Sequence, residues 1–349
     1  MTTDQRPRVR LRDHGELLAS LPHLLGFHPE NSLVVVTLFG KGSRRVGACL
    51  RTDLVPSTHH RELAEQLVPP VRNQRAAAAL LIVVGGAPAP PGDLPERELV
   101  TTVERVLGAV GTPVMHSVWT ANTTTGAPWS CYHEPDCGGV LPDPRTTPTA
   151  AATALAGMVT FTSRAELAAL LRPDDEAALI RRSVLMNAAH EAAELDRALA
   201  GSGAVHRDLV AVQQAVTAAA RGRFPTEDDE LVRLAVALSD PRVRDACLVP
   251  PDPEHVLPSE QLWLTLTRAL PPPERAEPAA LLAFAAYLRG DGALASVALD
   301  VAEQARPGYR LVELLRRAIA HGIPAHRMAR VAADAAAEAR AGIEQDGAW

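Results

Sequence analysis

The hydrophobic pattern of this chain changes character near residue 149. Before that point, short apolar runs rich in β-branched residues alternate with stretches at helical spacing, the pattern of an α/β layer. The run at 33–38 is continuously apolar, as a strand covered on both faces must be. A helical pattern at 16–25 leads into it and ends at Gly26, Phe27, His28 and Pro29, after which Asn31 and Ser32 supply turn chemistry. A strand at 46–54 follows the turn Gly40-Lys41-Gly42-Ser43, so the two strands read as a hairpin. A helix is predicted at 58–75, with Ser57 as its cap and Leu63, Leu67 and Val71 on its apolar stripe. It delivers the chain to a third strand at 78–84. Gly85, Gly86 and a proline-rich loop at 87–91 come next, then a helix at 95–110 with Asp93 as N-cap and Leu99, Val103, Val106 and Leu107 facing the core. With a fourth strand at 112–120, residues 78–120 form a strand, helix, strand unit, the signature of a right-handed crossover between parallel strands. A short strand at 129–132 precedes a Gly/Pro-rich loop running to 149.

Beyond 149 the strand signal stops and alanine-rich helical patterns take over. Helices are predicted at 149–158, 164–171, 174–199, 204–221, 227–238, 241–248 and 258–270, then at 279–289, 292–305, 309–321 and 324–344. Ala283, Ala295 and Ala302, with Leu282, Leu299 and Pro307, fall near the register of a tetratricopeptide hairpin that turns at Gly290 and Asp291. No second copy of that register lies upstream, and repeat arrays need about three copies to bury a shared core. The fold class is therefore α+β overall. An N-terminal α/β mixed-sheet domain (8–145) is followed by an all-α C-terminal domain (149–345) with tetratricopeptide-like helical hairpins.

Composition narrows the function classes. At 349 residues the chain exceeds the roughly 250–300 at which single cores stop growing, consistent with two domains. Apolar residues at 47% and charged residues at 22% are globular values, and no apolar run approaches the ~20 residues of a membrane span. Residues 1–12 are polar and basic with no apolar core, so a cytoplasmic protein without membrane association is expected. The net charge of −6 argues against a nucleic-acid partner, which would need clustered positive charge. Four cysteines, Cys49, Cys131, Cys137 and Cys247, in such a chain are expected as reduced thiols.

The densest chemistry is Cys131-Tyr132-His133 with Cys137 in the Gly/Pro loop. Cys131, His133 and Cys137 are zinc-type ligands one short of a closed site, with His116, His23 or His28 as outside donors. The Cys-x5-Cys gap is looser than in common zinc modules, which weighs against a metal, and the missing Cys-x-x-Cys helix start weighs against redox pairing. Buried thiols with a surface His133 are the plainer alternative. A nucleophilic reading would use Cys131 or Ser32, with His28 or His133 as base and Asp53 or Glu134 to orient it, but no catalytic signature frames them. Dinucleotide and P-loop fingerprints are absent after Gly86, where Pro88, Pro90 and Pro91 remove backbone donors, so no cofactor is expected. In open α/β sheets ligands sit beyond the carboxyl ends of parallel strands. That rule places a pocket at Phe27, His28, Gly85, Gly86, Asn122, Trp129, Cys131 and His133.

Residues 18–36, Leu-x2-Leu-Pro-His-Leu-Leu-Gly-Phe-His-Pro-Glu-Asn-Ser-Leu-Val-Val-Val, resemble the opening of an actinobacterial family known only as domain of unknown function 4192. The resemblance continues at Trp129-Ser130 with Cys131 and Cys137, and from Arg289-Gly290-Asp291-Gly292 through Ala298-Leu299-Asp300 to Pro307-Gly308-Tyr309. Family members place a proline and glycine after the second cysteine, where this chain has Cys137-Gly138-Gly139, a further argument against zinc. The resemblance implies an actinobacterial, cytoplasmic protein and carries over no activity. With no catalytic constellation, the expectation is a non-enzymatic binding or scaffold protein that meets a protein partner with its helical domain. The alternatives are an enzyme of unknown chemistry, such as a hydrolase built on Cys131, His133 and His28, and a small-ligand sensor using the same pocket.

Overall fold

Strand β1 (Ser32–Phe39) lies inside a six-stranded mixed sheet and is buried along almost its whole length. The structure is a computed structural model that describes residues 13–40, 45–90, 92–173, 175–250 and 252–346. Residues 1–12, Lys41, Gly42 and Ser43 of the expected hairpin turn, Pro91 of the proline-rich loop and Asp174 of the expected helix start lie outside them. Two compact units are present, residues 1–167 with 319–323, and residues 168–318 with 324–349.

In the first unit, α1 (His14–Leu25) precedes β1 and ends on Gly26, whose φ of 80° is the left-handed helix stop. β2 (Arg45–Asp53) pairs antiparallel with β1, as the hairpin reading expected. α2 (His60–Asn73), β3 (Ala78–Val84), α3 (Arg97–Ala109) and β4 (Val114–Thr120) follow, and β3 and β4 are parallel. β5 (Pro128–Cys131) and β6 (Gly138–Val140) complete the order β2-β1-β3-β4-β5-β6. β6 falls where sequence reading expected only loop; two glycines and one valine carry no periodicity. Two expected caps are also corrected. Ser57 lies inside a 3-10 turn that leads into α2, and α3 starts from Glu96, with no side-chain cap at either helix. Asp93 instead accepts from the Leu94 N–H and pairs with Arg97.

The alternation of β1 and β3 explains their unbroken apolar sequence. Leu33, Val35, Ala79, Leu81 and Val83 pack under Leu63, Leu67 and Val71 of α2 and Leu99, Val103 and Leu107 of α3. Val34, Val36, Ile82 and Val84 face the other way, against Leu17, Leu18, Leu21 and Leu25 of α1. A strand inserted between two helical layers can expose neither set of side chains.

After α4 (Pro148–Leu155) and α5 (Arg164–Ala169), the second unit is helical throughout its described residues. It contains α6 (Glu176–Ala200), α7 (Ser202–Ala219), α8 (Asp228–Leu238), α9 (Pro241–Ala246) and α10 (Val256–Ala269). It continues through α11 (Ala276–Arg289), α12 (Gly292–Ala305), α13 (Arg310–Ala320) and α14 (Ala325–Asp346). α11 and α12 pack on each other across the expected Gly290-Asp291 turn. Gly290 ends one helix at φ 86°, and the Asp291 carboxylate caps the next by accepting from the Leu294 N–H at 2.9 Å. No helix among the described residues is long and apolar enough to cross a membrane.

Candidate functional site

The carboxyl ends of β3 and β4 meet the start of β1, because Ser32 pairs with Val84 and Val84 with Thr120. Backbone in rare conformations gathers here. Gly85 and Gly86 have φ of 74° and 99°, and the non-glycine residues Asn31 and Glu96 have φ of 41° and 60°. The Asn31 carbonyl oxygen Oδ1 accepts from the Gly86 N–H at 3.2 Å, and a Cβ on Gly85 would lie only 2.8 Å from that oxygen. Glycine at 85 is therefore a steric requirement. The Trp119 indole donates to the Gly85 carbonyl at 2.7 Å, and the Gly85 N–H donates to Thr120 O at 2.9 Å.

Five expected site residues, Phe27, His28, Gly85, Gly86 and Asn122, are at this end of the sheet, and Trp129 joins them through its pairing with Thr120. Several of their polar groups are already partnered. His28 Nδ1 is 2.8 Å from Thr123 Oγ1, while Asn122 Oδ1 accepts from the Thr124 N–H and hydroxyl. Burial, helped by nearby His23, lowers the His28 pKa, so the fold favours its neutral ring. His23 lies between Thr160 Oγ1 at 2.8 Å and Pro144 O at 3.0 Å. Ser32 donates to Glu30 O, the turn role expected of it.

Cys131 and His133 run away from this group. Cys131 pairs with Val118 and is joined by a disulfide to Cys137, across the turn between β5 and β6. The expectation of reduced thiols is corrected for this pair. The hairpin returns the chain so that the two Cα atoms stand 5.4 Å apart, within disulfide range, and a hairpin closure needs no Cys-x-x-Cys helix. His133 Nε2 reaches Glu104 Oε1 of α3 at 2.7 Å, and Glu104 also accepts from the Ser117 hydroxyl. The Cys131 sulfur, His28 and His133 thus have three separate sets of partners. Among the described residues no three His, Cys, Asp or Glu side chains converge as metal ligands.

Two features escaped sequence reading. His60 on α2 is 6% exposed; its Nδ1 is buried without a hydrogen-bond partner and its Nε2 lies 3.8 Å from Glu96 Oε2. An open cleft of 460 Å³ lies beside the start of α1, lined by Asp13, Glu16, Trp129, Gly139, Leu141 and Thr147 among others. Gly15 and Gly139 leave room for the Trp129 ring, since a Cβ on either would come within 3.5 and 3.1 Å of its indole nitrogen. The His14 ring lies edge-on to His116 at 4.5 Å and tilted to Trp129 at 5.9 Å. Burial and the neighbouring His116 lower the His14 pKa. The signals in the sequence were Gly15 and the Gly138-Gly139 pair, glycines that no turn periodicity demanded.

In the helical unit the feature that stands out is one face of α6. Ile180, Val184, Leu195 and Leu199 are 63%, 70%, 61% and 80% exposed, while Ala178 and Met186 on the opposite side are buried. At 3.6 residues per turn the four fall within roughly 100° of one another. The buried side is anchored by Arg182, which donates to Asp228 and to Ala269 O, and by His190 at 3.0 Å from Glu274.

No curated protein and no solved structure matches this chain. A family model does match, over residues 15–326, which takes in α1, the whole sheet, the α6 face and the α11–α12 hairpin. The chain therefore belongs to the family described as Domain of unknown function (DUF4192).

Proposed function

We propose that this is a non-enzymatic, cytoplasmic binding or scaffold protein whose helical unit docks a protein partner. The observation that carries the reading is the α6 face, where two pairs of large apolar side chains, Ile180 with Val184 and Leu195 with Leu199, remain exposed. Soluble proteins bear scattered exposed apolar residues without consequence, but several grouped on one helix face mark an interaction surface. The hydrolase alternative loses its nucleophile, because the Cys131 sulfur is bonded to Cys137. The net charge of −6 speaks against a nucleic-acid partner. The test is affinity purification of the tagged chain from its own cells, beside a Val184→Lys variant. A stoichiometric polypeptide, whether another protein or an untagged copy, that is retained by the wild type and lost from the variant supports the reading. Equal recovery from both overturns it.

The cleft at Trp129 favours a second reading, a small-ligand sensor. An aromatic wall beside two carboxylates, with no cationic side chain among the described residues that line it, suits a compact ligand bearing hydrogen-bond donors or positive charge. Ligand titration followed by Trp fluorescence should then respond in the wild type and not in Trp129→Phe. An unchanged response in the variant would place the ligand elsewhere.

A further inference from the structure

The Cys131–Cys137 disulfide stands at the wall of the Trp129 cleft. β6 begins on the residue after Cys137, and Gly139, Val140 and Leu141 line the cleft together with Trp129 of β5. Trp129 lies opposite Gly139 in the ladder, close enough that a Cβ there would come within 3.1 Å of the indole nitrogen. The wall keeps its shape only while β6 lies flat on β5.

β6 is weakly held by everything except its two ends. It is the outer strand of the sheet, and Gly138, Gly139 and Val140 are all exposed. Its short ladder to β5 includes Pro128, which has no N–H to give. At the far end Leu141 is buried, donates to Ala127 O and accepts from the Gly126 N–H, both at 2.9 Å. At the near end stand the bond to Cys131 and the hydrogen bond from the Cys131 N–H to Cys137 O at 2.8 Å.

The two cysteines are unequal. Cys131 is 7% exposed within the core cluster under α1, and its strand is held independently, the Tyr132 N–H donating to Ser117 O at 2.9 Å. Cys137 is partly exposed and follows the exposed turn 133–136, so an incoming thiol meets its sulfur first. Cleavage therefore leaves β5 in place and releases the near end of β6, where the glycine pair 138–139 offers little resistance to movement.

We propose that Cys131–Cys137 is a redox-active site, reduced by a dithiol, whose oxidation state sets the wall of the Trp129 cleft. A thiolate of the dithiol attacks Cys137 Sγ, the bond between the sulfurs breaks, and its electron pair leaves on Cys131 Sγ, which takes up a proton. The second thiol of the reductant loses its proton, attacks its own sulfur in the mixed disulfide and releases Cys137 as a thiol. Two electrons and two protons pass to the protein, and the reductant departs as a disulfide. A low-molecular-weight disulfide reverses the exchange. The inference rests on the cytoplasmic reading, since a disulfide in a reducing compartment is of the cycling kind, and it supplies a regulation for the small-ligand reading of the cleft.

The experiment compares the full chain before and after dithiothreitol in native buffer. Cys49 and Cys247 are already free, so the reagent changes only this pair. The expected result is two more alkylatable thiols, amide exchange about tenfold faster at 138–140 with β3 unchanged, and acrylamide quenching of the Trp129 emission, taken as wild type minus Trp129→Phe, about twofold stronger. Cys137→Ser should show the reduced behaviour with or without dithiothreitol. A bond that yields only in denaturant is a structural staple and overturns the proposal. Reduction that leaves exchange and quenching unchanged overturns it too, as does a pair that stays reduced in oxidised glutathione. The ligand reading fails separately: if Trp129 answers to no ligand in either redox state while exchange and quenching still follow the disulfide, that reading falls and the redox site stands.

Discussion

Burial pushes the pKa of the half-buried Cys247 thiol up to about 12, against the weaker opposing pull of Arg340. Only the thiolate reacts with disulfide reagents, so at neutral pH this sulfur should be silent in the folded protein. Cys131 and Cys137 are silent for a different reason, being bonded to one another. A thiol-reagent titration therefore has a stepwise outcome. Both free cysteines are partly exposed, and in native buffer Cys49 is the thiol expected to react, because Cys247 is held in its protonated form. Denaturant without reductant should add Cys247 alone, and reductant with denaturant should add two more. Four thiols in denaturant without reductant would show the Cys131–Cys137 pair to be reduced, as composition alone had suggested. The pairing was illegible in the sequence because it depends on a hairpin whose second strand, Gly138-Gly139-Val140, has no strand signature. The same holds for His60 and Glu96, which meet through the packing of the α2 start against the α3 start, not through spacing along the chain. Gly85 and Gly86, by contrast, stood out at once, because a glycine pair closing a buried strand has few other uses.

Legibility at the level of elements followed the length of the periodic signal. β3 was bounded correctly at both ends and α12 likewise, since a seven-residue apolar run ending in Ile-Val-Val and a Gly-Asp turn followed by fourteen helical residues leave little choice. What periodicity could not show was how helices are pinned to one another by charge. Glu277, in the first turn of α11, is 1% exposed and faces two arginines. Arg306 donates to it at 2.6 Å, Arg244 stands 3.7 Å away, and the Tyr309 hydroxyl donates to its second oxygen. Burial, with the Glu277 charge, raises the Tyr309 pKa, which keeps that hydroxyl a donor. Arg244 also donates to the Tyr309 oxygen at 2.8 Å, so the group ties α9, α11 and the segment before α13 together. Removing one partner from a buried ionic group strands the others. Glu277→Ala is therefore expected to cost about 3–5 kcal/mol, against about 1–2 kcal/mol for Tyr309→Phe, which deletes only hydrogen bonds. Urea unfolding followed by the buried Trp263 of α10 measures both. A Glu277→Ala cost below about 1 kcal/mol would mean that apolar packing alone holds α11.

For the whole molecule the open question is where the first domain ends. The change of texture in the sequence put the junction at 143–149, whereas the compact unit of the structure runs to Leu167. The difference is physical, because residues 144–167 are helical in sequence but attach to the sheet's own layers. Phe161 forms a bridge with Phe27, its N–H donating to Gly26 O at 2.8 Å and its carbonyl accepting from His28 at 3.1 Å. Thr160 adds the 2.8 Å contact to His23. At about 0.5–1.5 kcal/mol for each of these three hydrogen bonds, a fragment ending at 145 should lose roughly 2–4 kcal/mol relative to one ending at 167. That is a large share of the ~5–15 kcal/mol that holds a typical domain together. The longer fragment, 13–167, contains every residue of both apolar clusters on the two faces of the sheet. Of that unit's described residues it lacks only segment 319–323, whose His321 and Gly322 carbonyls accept from the Asn73 and Gln74 side-chain amides, another roughly 1–3 kcal/mol. The expectation is that 13–167 unfolds in one cooperative urea transition with ordered signals from Trp119 and Trp129. The 13–145 fragment should unfold at lower urea or without a clear transition. If the two fragments were equally stable, the domain would end at the sheet and residues 146–167 would be a linker; if neither folded, the sheet would depend on the rest of the chain.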